Sequence, residues 1–134
     1  MRLEGGCYCG AVRFKADGDP VLKAQCVCHE CTHITGGGPN LFIAMPPDGF
    51  AYTKGAPAAF KRPDLPNPVT REFCANCGTQ LVTRAPGFPA VIVKAGALDD
   101  RKLYGEPDMT IFTCDKEAFH YLPQGKPAFE RLPG

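Results

Sequence analysis

The chain has 134 residues, and domains cluster near about 100–150 residues, so we expect residues 1–134 to form a single domain. A hydrophobic fraction of 44% and a charged fraction of 22% exclude a chain too polar to fold. The formal net charge of +1 gives no general attraction to nucleic acid or to anionic membranes. No apolar run reaches the roughly 18 residues of a membrane span. These features predict a soluble, cytoplasmic protein with neither nucleic acid nor membrane as a partner.

Short apolar runs, bounded by Gly, Pro, Asn or Asp, recur along the chain. The first run, Ala11–Lys15, alternates apolar Val12 and Phe14 with basic residues, which is the period-two pattern of a half-buried strand. Similar runs lie at Val21–Ala24, Leu41–Met45, Phe50–Thr53, Val69–Phe73, Gln80–Thr83, Ala90–Ala95 and Met109–Thr113. Many short strands at this spacing predict an all-β fold.

The remaining segments are a short helix, a loop and a C-terminal tail. The best candidate for a helix is Cys28–Thr35, which Gly36 would end. The stretch Phe60–Pro68 holds three prolines, which cannot donate to a sheet, so it is predicted to be an exposed loop near a site. The tail Ala118–Gly134 lacks periodicity, but it carries apolar side chains that could pack against the sheet, namely Phe119, Tyr121, Leu122, Phe129 and Leu132.

Eight cysteines carry most of the functional information, because thiols in a reducing cytoplasm serve metal binding or catalysis more often than disulfides. They form the patterns C-x-C, C-x-C-x-x-C and C-x-x-C, with Cys114 alone. Two thiol pairs complete a tetrahedral zinc site with bonds of about 2.3 Å. Counting the pairs therefore predicts one closed, structural zinc site from Cys7, Cys9, Cys74 and Cys77. A disulfide set or unrelated free thiols are the alternative.

The second cluster, Cys26, Cys28 and Cys31, places three thiols within six residues. Three protein ligands and an open fourth position are typical of a catalytic zinc site. A closed structural site would need a fourth ligand, for which the candidates are His29, Glu30, His33 and Cys114. Taken singly, each histidine, His120 included, is expected at the surface or in a hydrogen bond, and Cys114 is expected to be a small buried apolar side chain.

The ordered motifs resemble those of the glutathione-dependent formaldehyde-activating enzymes, which are related to centromere protein V and share the Mss4-like fold. The resemblance is carried by Gly6-Cys7-Tyr8-Cys9-Gly10-Ala11-Val12, Cys26-x-Cys28-x-x-Cys31 with Thr35-Gly36, Phe73-Cys74-x-x-Cys77-Gly78 and Gly96-x-Leu98-Asp99. It implies short antiparallel strands around a structural zinc, with at most one short helix. It also implies two zinc ions per chain, a structural ion on Cys7, Cys9, Cys74 and Cys77 and a catalytic ion on Cys26, Cys28 and Cys31.

The resemblance further implies a reaction, the addition of glutathione to formaldehyde to give S-(hydroxymethyl)glutathione, formally the reverse of a carbon–sulfur lyase step. Another small thiol or another small aldehyde remains open as the substrate. Glutathione carries two carboxylates, so Lys54, Lys61, Arg62 and Arg71 are candidates for its binding, although a solvated position is the default for each. The alternative function is a non-catalytic, zinc-stabilised module that binds a thiol, a metal or a protein partner.

Overall fold

The computed structural model describes residues 1–133, which form ten short strands and one α-helix. The strands are β1 (Arg2–Gly6), β2 (Arg13–Asp17), β3 (Leu22–Cys26), β4 (Asn40–Met45), β5 (Phe50–Lys54), β6 (Ala58–Phe60), β7 (Thr70–Phe73), β8 (Gln80–Arg84), β9 (Val91–Lys94) and β10 (Met109–Ile111), and the helix is α1 (His29–Thr35). The prediction of a mainly β fold with one short helix is confirmed, and the architecture is consistent with the Mss4-like fold.

The strands form two sheets. One sheet has three antiparallel strands in the order β1-β2-β5, and the other has seven in the order β10-β3-β4-β9-β8-β7-β6. The seven-stranded sheet departs from the expected antiparallel pattern at one place, where β10 pairs with β3 in parallel and Ile111 lies opposite Cys26. A parallel pair requires a long connection between its strands, and most of the chain lies between β3 and β10.

Both faces of the seven-stranded sheet are covered, so it separates two apolar cores. In β4, Ile43 and Met45 belong to the core shared with the three-stranded sheet, whereas Phe42 and Ala44 belong to the core on the opposite face. This division follows from the period of two residues in a strand. We call the first of these the inter-sheet core and the second the outer core.

Helix α1 ends at Thr35, as the sequence predicts, and begins at His29, one residue after the predicted start. Cys28 caps its N-terminus, with its Sγ accepting a hydrogen bond from the Cys31 amide at 3.3 Å. Gly36, with φ of 83°, caps its C-terminus and donates to the His33 carbonyl. The helix has seven residues, and within residues 1–133 no helix has the length and apolar character required to cross a membrane.

The C-terminal tail lies along the edge strand of the seven-stranded sheet. Thr110 of β10 forms a parallel bridge with Ala128, and Phe129 packs against the outer core. The tail therefore packs down, as expected, although three of the five side chains predicted to do so, Phe119, Tyr121 and Leu132, are exposed.

His120 fastens this tail to the loop that follows α1. Its side chain is only 2% exposed, and its Nδ1 accepts a hydrogen bond from the Glu117 amide at 3.0 Å. Because Nδ1 is the acceptor, Nε2 carries the proton and donates it to the Gly37 carbonyl at 2.7 Å. The expectation of a hydrogen-bonded histidine thus holds for His120.

Replacing His120 with leucine should lower the free energy of unfolding by about 1–3 kcal/mol, because the Glu117 amide and the Gly37 carbonyl would lose their partner. Urea denaturation measures the difference. Tyr121→Phe is the control, since the Tyr121 side chain is 83% exposed and should tolerate the change. Equal stability of His120→Leu and the wild type would show that the tail is held by other contacts.

Candidate metal centres and the adjoining cavities

The first thiol cluster is assembled from the turn after β1 and the turn between β7 and β8. Cys7 Sγ lies 3.6 Å from Cys9 Sγ, and Cys9 Sγ lies 3.8 Å from Cys74 Sγ. With Cys77 Sγ, all four sulfurs lie within 4.8 Å of one another. Sulfurs bonded tetrahedrally to zinc at about 2.3 Å are separated by about 3.8 Å. The donor set and its spacing therefore fit a four-coordinate zinc ion, and the structure brings together the four residues predicted to share one site.

The turn that carries Cys74 and Cys77 is a tight one. The Gly78 amide donates to the Cys74 carbonyl at 2.8 Å, and the Cys74 amide donates to the Thr79 carbonyl at 3.0 Å. Gly78 has φ of 80°, a conformation that side chains other than that of glycine rarely allow. This backbone path returns the chain into β8 and directs both sulfurs to the same point.

Thr79 links the two halves of the cluster. Its Oγ1 accepts a hydrogen bond from the Tyr8 amide at 3.0 Å, so its own proton is free for Cys77 Sγ, which lies 3.2 Å away. This hydroxyl is the main cause that lowers the pKa of Cys77 to about 5. Cys77 is therefore set up as a thiolate, the form in which cysteine binds metal.

Backbone and amide donors also reach the other half of the cluster. The Val12 amide donates to Cys7 Sγ at 3.2 Å, and the Asn76 side-chain amide donates to Cys9 Sγ at 3.2 Å. Burial acts to raise the pKa of Cys7, but the Val12 hydrogen bond and the neighbouring thiols outweigh it, so the pKa is lowered. Such donors fix the ligand positions and tune the sulfurs around a metal.

The second cluster lies where β3 runs into α1. Cys26 is the buried last residue of β3, Cys28 caps the helix and Cys31 lies in its first turn. The three sulfurs lie within 4.8 Å of one another. Hydrogen bonds from Cys26 and then Cys28 hold the pKa of Cys31 well below its usual range, while the pKa of Cys26 is raised, chiefly by its hydrogen bond with Cys28. Three thiols of which one ionises readily fit the donor preference of zinc.

Among residues 1–133, no other histidine, cysteine, aspartate or glutamate places a ligand atom within 4.8 Å of all three sulfurs. The four candidates for a fourth ligand, His29, Glu30, His33 and Cys114, do not join it. The expectation that Cys114 is buried is wrong: it is exposed in the short turn Thr113–Asp115 that follows β10. The turn matters for the cluster because Asp115 accepts a hydrogen bond from the His29 amide, at 3.1 Å, at the start of α1.

Two cavities border helix α1. The larger, of about 460 Å³, is mainly apolar and lies between α1 and the proline-rich loop. Its wall includes His29, His33, Phe60 and Leu65, together with Arg62, which pairs with Glu30 at 3.4 Å. The loop is exposed and lies beside this cavity, but the predicted boundary at Phe60 is wrong, because Phe60 is the last residue of β6.

The smaller cavity, of about 240 Å³, reaches the second thiol cluster at Cys31. Asn40, Arg71 and Lys94 contribute polar groups to its wall. The Lys94 Nζ donates to Asn40 Oδ1 at 3.0 Å, and the Asn40 amide nitrogen lies 3.9 Å from Cys31 Sγ. Burial lowers the pKa of Lys94 to about 8. Arg71 lines both cavities.

The four cations that the sequence suggested for carboxylate binding have different positions. Arg71 lies beside the second cluster and Arg62 lies on the larger cavity, whereas Lys54 and Lys61 are exposed and line neither cavity. Lys94 was missed. The sequence contains an indication of it in the run Val91-Ile92-Val93-Lys94. There the period of two residues places the lysine on the same face of the strand as the apolar Ile92.

The fold and the site define a class of protein, a mainly β chain with two cysteine clusters that could bind metal ions. The chain belongs to the glutathione-dependent formaldehyde-activating enzyme family, since the model of that family matches residues 2–115.

Two comparisons accompany this assignment. A Halomonas elongata protein named "Putative glutathione-dependent formaldehyde-activating enzyme" is 29% identical in an alignment that covers 95% of this chain and 78% of that protein. A crystal structure of a Rhodobacter sphaeroides protein is similar with a TM-score of 0.61 and 18% identity, and the match covers 78% of this chain and 97% of that one. At this identity the second likeness concerns the fold alone.

Replacing Thr79 with valine should weaken zinc binding by the four-sulfur cluster about 10- to 100-fold, because Cys77 would lose the hydroxyl that favours its thiolate. Competition with a chelator, followed by zinc analysis, measures the effect. Thr79→Ser keeps the hydroxyl and should retain zinc as the wild type does. If Thr79→Val also retains it, the hydroxyl does not support the site.

Proposed function

We propose that this protein is a zinc-dependent, carbon–sulfur lyase-type enzyme that adds glutathione to formaldehyde and forms S-(hydroxymethyl)glutathione. The observation that carries the proposal is the three-sulfur cluster, which has no fourth ligand among the described residues and borders a cavity. Family membership supports the choice of glutathione and formaldehyde. Another small thiol or aldehyde would be handled by the same chemistry.

The proposal gives the two clusters different roles. Cys7, Cys9, Cys74 and Cys77 hold a structural zinc, which is supported by the four donors and by the burial of Cys7 and Cys74 within the inter-sheet core. Cys26, Cys28 and Cys31 hold a catalytic zinc, which is supported by the three donors and by the position of Cys31 on a cavity wall.

The reaction is an addition in which the thiol S–H bond breaks, a carbon–sulfur bond forms and the proton ends on the former carbonyl oxygen. When bound, zinc supplies a Lewis acid that stabilises a thiolate sulfur or polarises an aldehyde oxygen. The residues of the chain position a polar group beside the cluster. Lys94 holds the Asn40 side-chain amide, and the nitrogen of that amide faces Cys31 Sγ. Ile34 and Arg71 line both cavities, and the larger cavity, of about 460 Å³, offers room for the rest of a tripeptide thiol.

The proposal also places the protein in the cytoplasm as one domain with small-molecule partners. None of the eight cysteines forms a disulfide, which suits a compartment that glutathione keeps reduced. The near-neutral charge, with 15 basic and 14 acidic residues, favours neither nucleic acid nor an anionic membrane as a partner.

Replacing Cys31 with serine should abolish the acceleration of exchange between formaldehyde and its glutathione adduct, and should leave the melting temperature nearly unchanged. Exchange spectroscopy by NMR gives the rates. Cys114→Ser is the matched control, because Cys114 is exposed and belongs to neither cluster. If the wild type does not exceed the rate in buffer, the enzymatic proposal fails for this substrate, and a non-catalytic zinc module takes its place.

Replacing Cys74 with serine should instead lower the free energy of unfolding by several kcal/mol, on the order of 3–5, or prevent soluble expression, because it opens the structural site within a buried core. Thermal or urea denaturation and zinc analysis measure this change. A Cys74→Ser protein with normal stability would contradict the division of roles between the clusters.

A further inference from the structure

We propose that Arg71 and Lys94 form an anion subsite in the smaller cavity, where they hold a carboxylate of the substrate beside Cys31. The identity of that substrate as a thiol or its adduct rests on the proposed function. The subsite itself rests on the position and charge of these two side chains.

Strand register places Lys94 on the same face of the sheet as the second thiol cluster. Cys26 lies opposite Asn40, and Phe42, two residues further along β4, lies opposite Lys94. Residues paired across strands share a face, and so do residues two positions apart in one strand. Lys94 therefore projects to the outer-core face, at the edge where the second cluster reaches the cavity through Cys31.

The same reasoning places Arg71 on this face. Ile92 of β9 lies opposite Thr83, and Thr83 lies opposite Arg71 across β7 and β8. Ile92 packs against the outer core and is two residues from Lys94. The two cations thus arise from different strands and converge on one cavity, and Arg71 is buried although it carries a full charge.

The charge of the cavity is unbalanced in favour of an anion. Its wall contains Arg71 and Lys94 but neither aspartate nor glutamate. Lys94 has a neutral hydrogen-bond partner, Asn40, and the nearest carboxylate to Arg71 is that of Glu30, at 3.9 Å, which is shared with Arg62 and lies outside this cavity. A buried cation without a close anion lowers the free energy of unfolding, because it has lost its hydration. A carboxylate from a ligand would offset this loss.

A zinc-loaded thiol cluster would neutralise only part of this positive charge. Three thiolates around one divalent zinc ion carry a net charge of about −1, whereas the two side chains carry about +2. Counting only the cavity wall and the cluster, one positive charge remains for a ligand, because Glu30 lies outside this cavity and pairs more closely with Arg62. The cavity volume of about 240 Å³ exceeds the roughly 30 Å³ share of one water several times, so a carboxylate with a short carbon chain fits there.

The test uses two thiols with the same three-carbon chain, 3-mercaptopropionate, which carries a charged carboxylate, and its uncharged methyl ester. Their binding to the zinc-loaded protein is measured by calorimetry. The wild type should bind the acid at least about tenfold more tightly than the ester, as expected for charge-assisted hydrogen bonds. Lys94→Met and Arg71→Met should each remove most of this preference, so that the acid binds little more tightly than the ester to the same variant. Lys102→Met, an exposed control, should keep the preference.

A third variant covers the possibility that loss of a buried cation disturbs folding or zinc content. Gln80 lines the same cavity, so Gln80→Glu keeps both cations and adds a carboxylate to the wall. It should weaken binding of the acid and not that of the ester. If all three variants still bind the acid more tightly than the ester, the subsite is overturned, because chelation of the metal by the acid would produce that result. The subsite is also overturned if the wild type binds the acid and the ester equally.

Rates of formaldehyde–glutathione exchange, measured on the same samples, separate this inference from the proposed function. Acceleration without a preference for the acid overturns the subsite and leaves the proposed function in place. A preference for the acid without acceleration supports the subsite and overturns the proposed function for these substrates.

Discussion

The seven-stranded sheet has an apolar core on each face, and the side chains of its strands must alternate between them. In β4 this constraint sends Ile43 and Met45 to the inter-sheet core and Phe42 and Ala44 to the outer core. The cysteines follow the same division, since Cys74 belongs to the first core and Cys26 to the second. A single sheet therefore keeps the two cysteine clusters apart and gives them unlike surroundings, one between two sheets and one at the border of a cavity.

Strand β7 carries functional contacts on both faces of the seven-stranded sheet. On the inter-sheet face, Glu72 accepts hydrogen bonds from the Tyr52 hydroxyl and from Arg84 Nε, both at 2.6 Å, which joins the three-stranded sheet to the seven-stranded one. On the other face, the adjacent Arg71 lines both cavities. The network around Glu72 thus fixes the strand from which Arg71 reaches the cavity beside Cys31.

Much of this arrangement could be predicted from the sequence because it depends on local patterns. Both cysteine sets and the limits of α1 follow from spacing and from Gly36. Strand β1 was missed, because Leu3 is its only large apolar residue and its packing depends on Gly5, where a Cβ would lie 2.2 Å from the Ala97 carbonyl oxygen. The parallel pairing of β10, the exposure of Cys114 and the convergence of Lys94 with Arg71 depend on contacts between distant segments, which spacing does not encode.

The sulfurs of the first cluster come from positions far apart in the chain, with Cys9 and Cys74 separated by 65 residues. During synthesis on the ribosome, the four-sulfur cluster can therefore form only after Cys77 has left the exit tunnel. Cys26, Cys28 and Cys31 emerge together and need no such partner. The second cluster could therefore hold a metal ion before the first is complete, and the first cluster could fix the β1–β2 hairpin in place only after Cys77 has emerged.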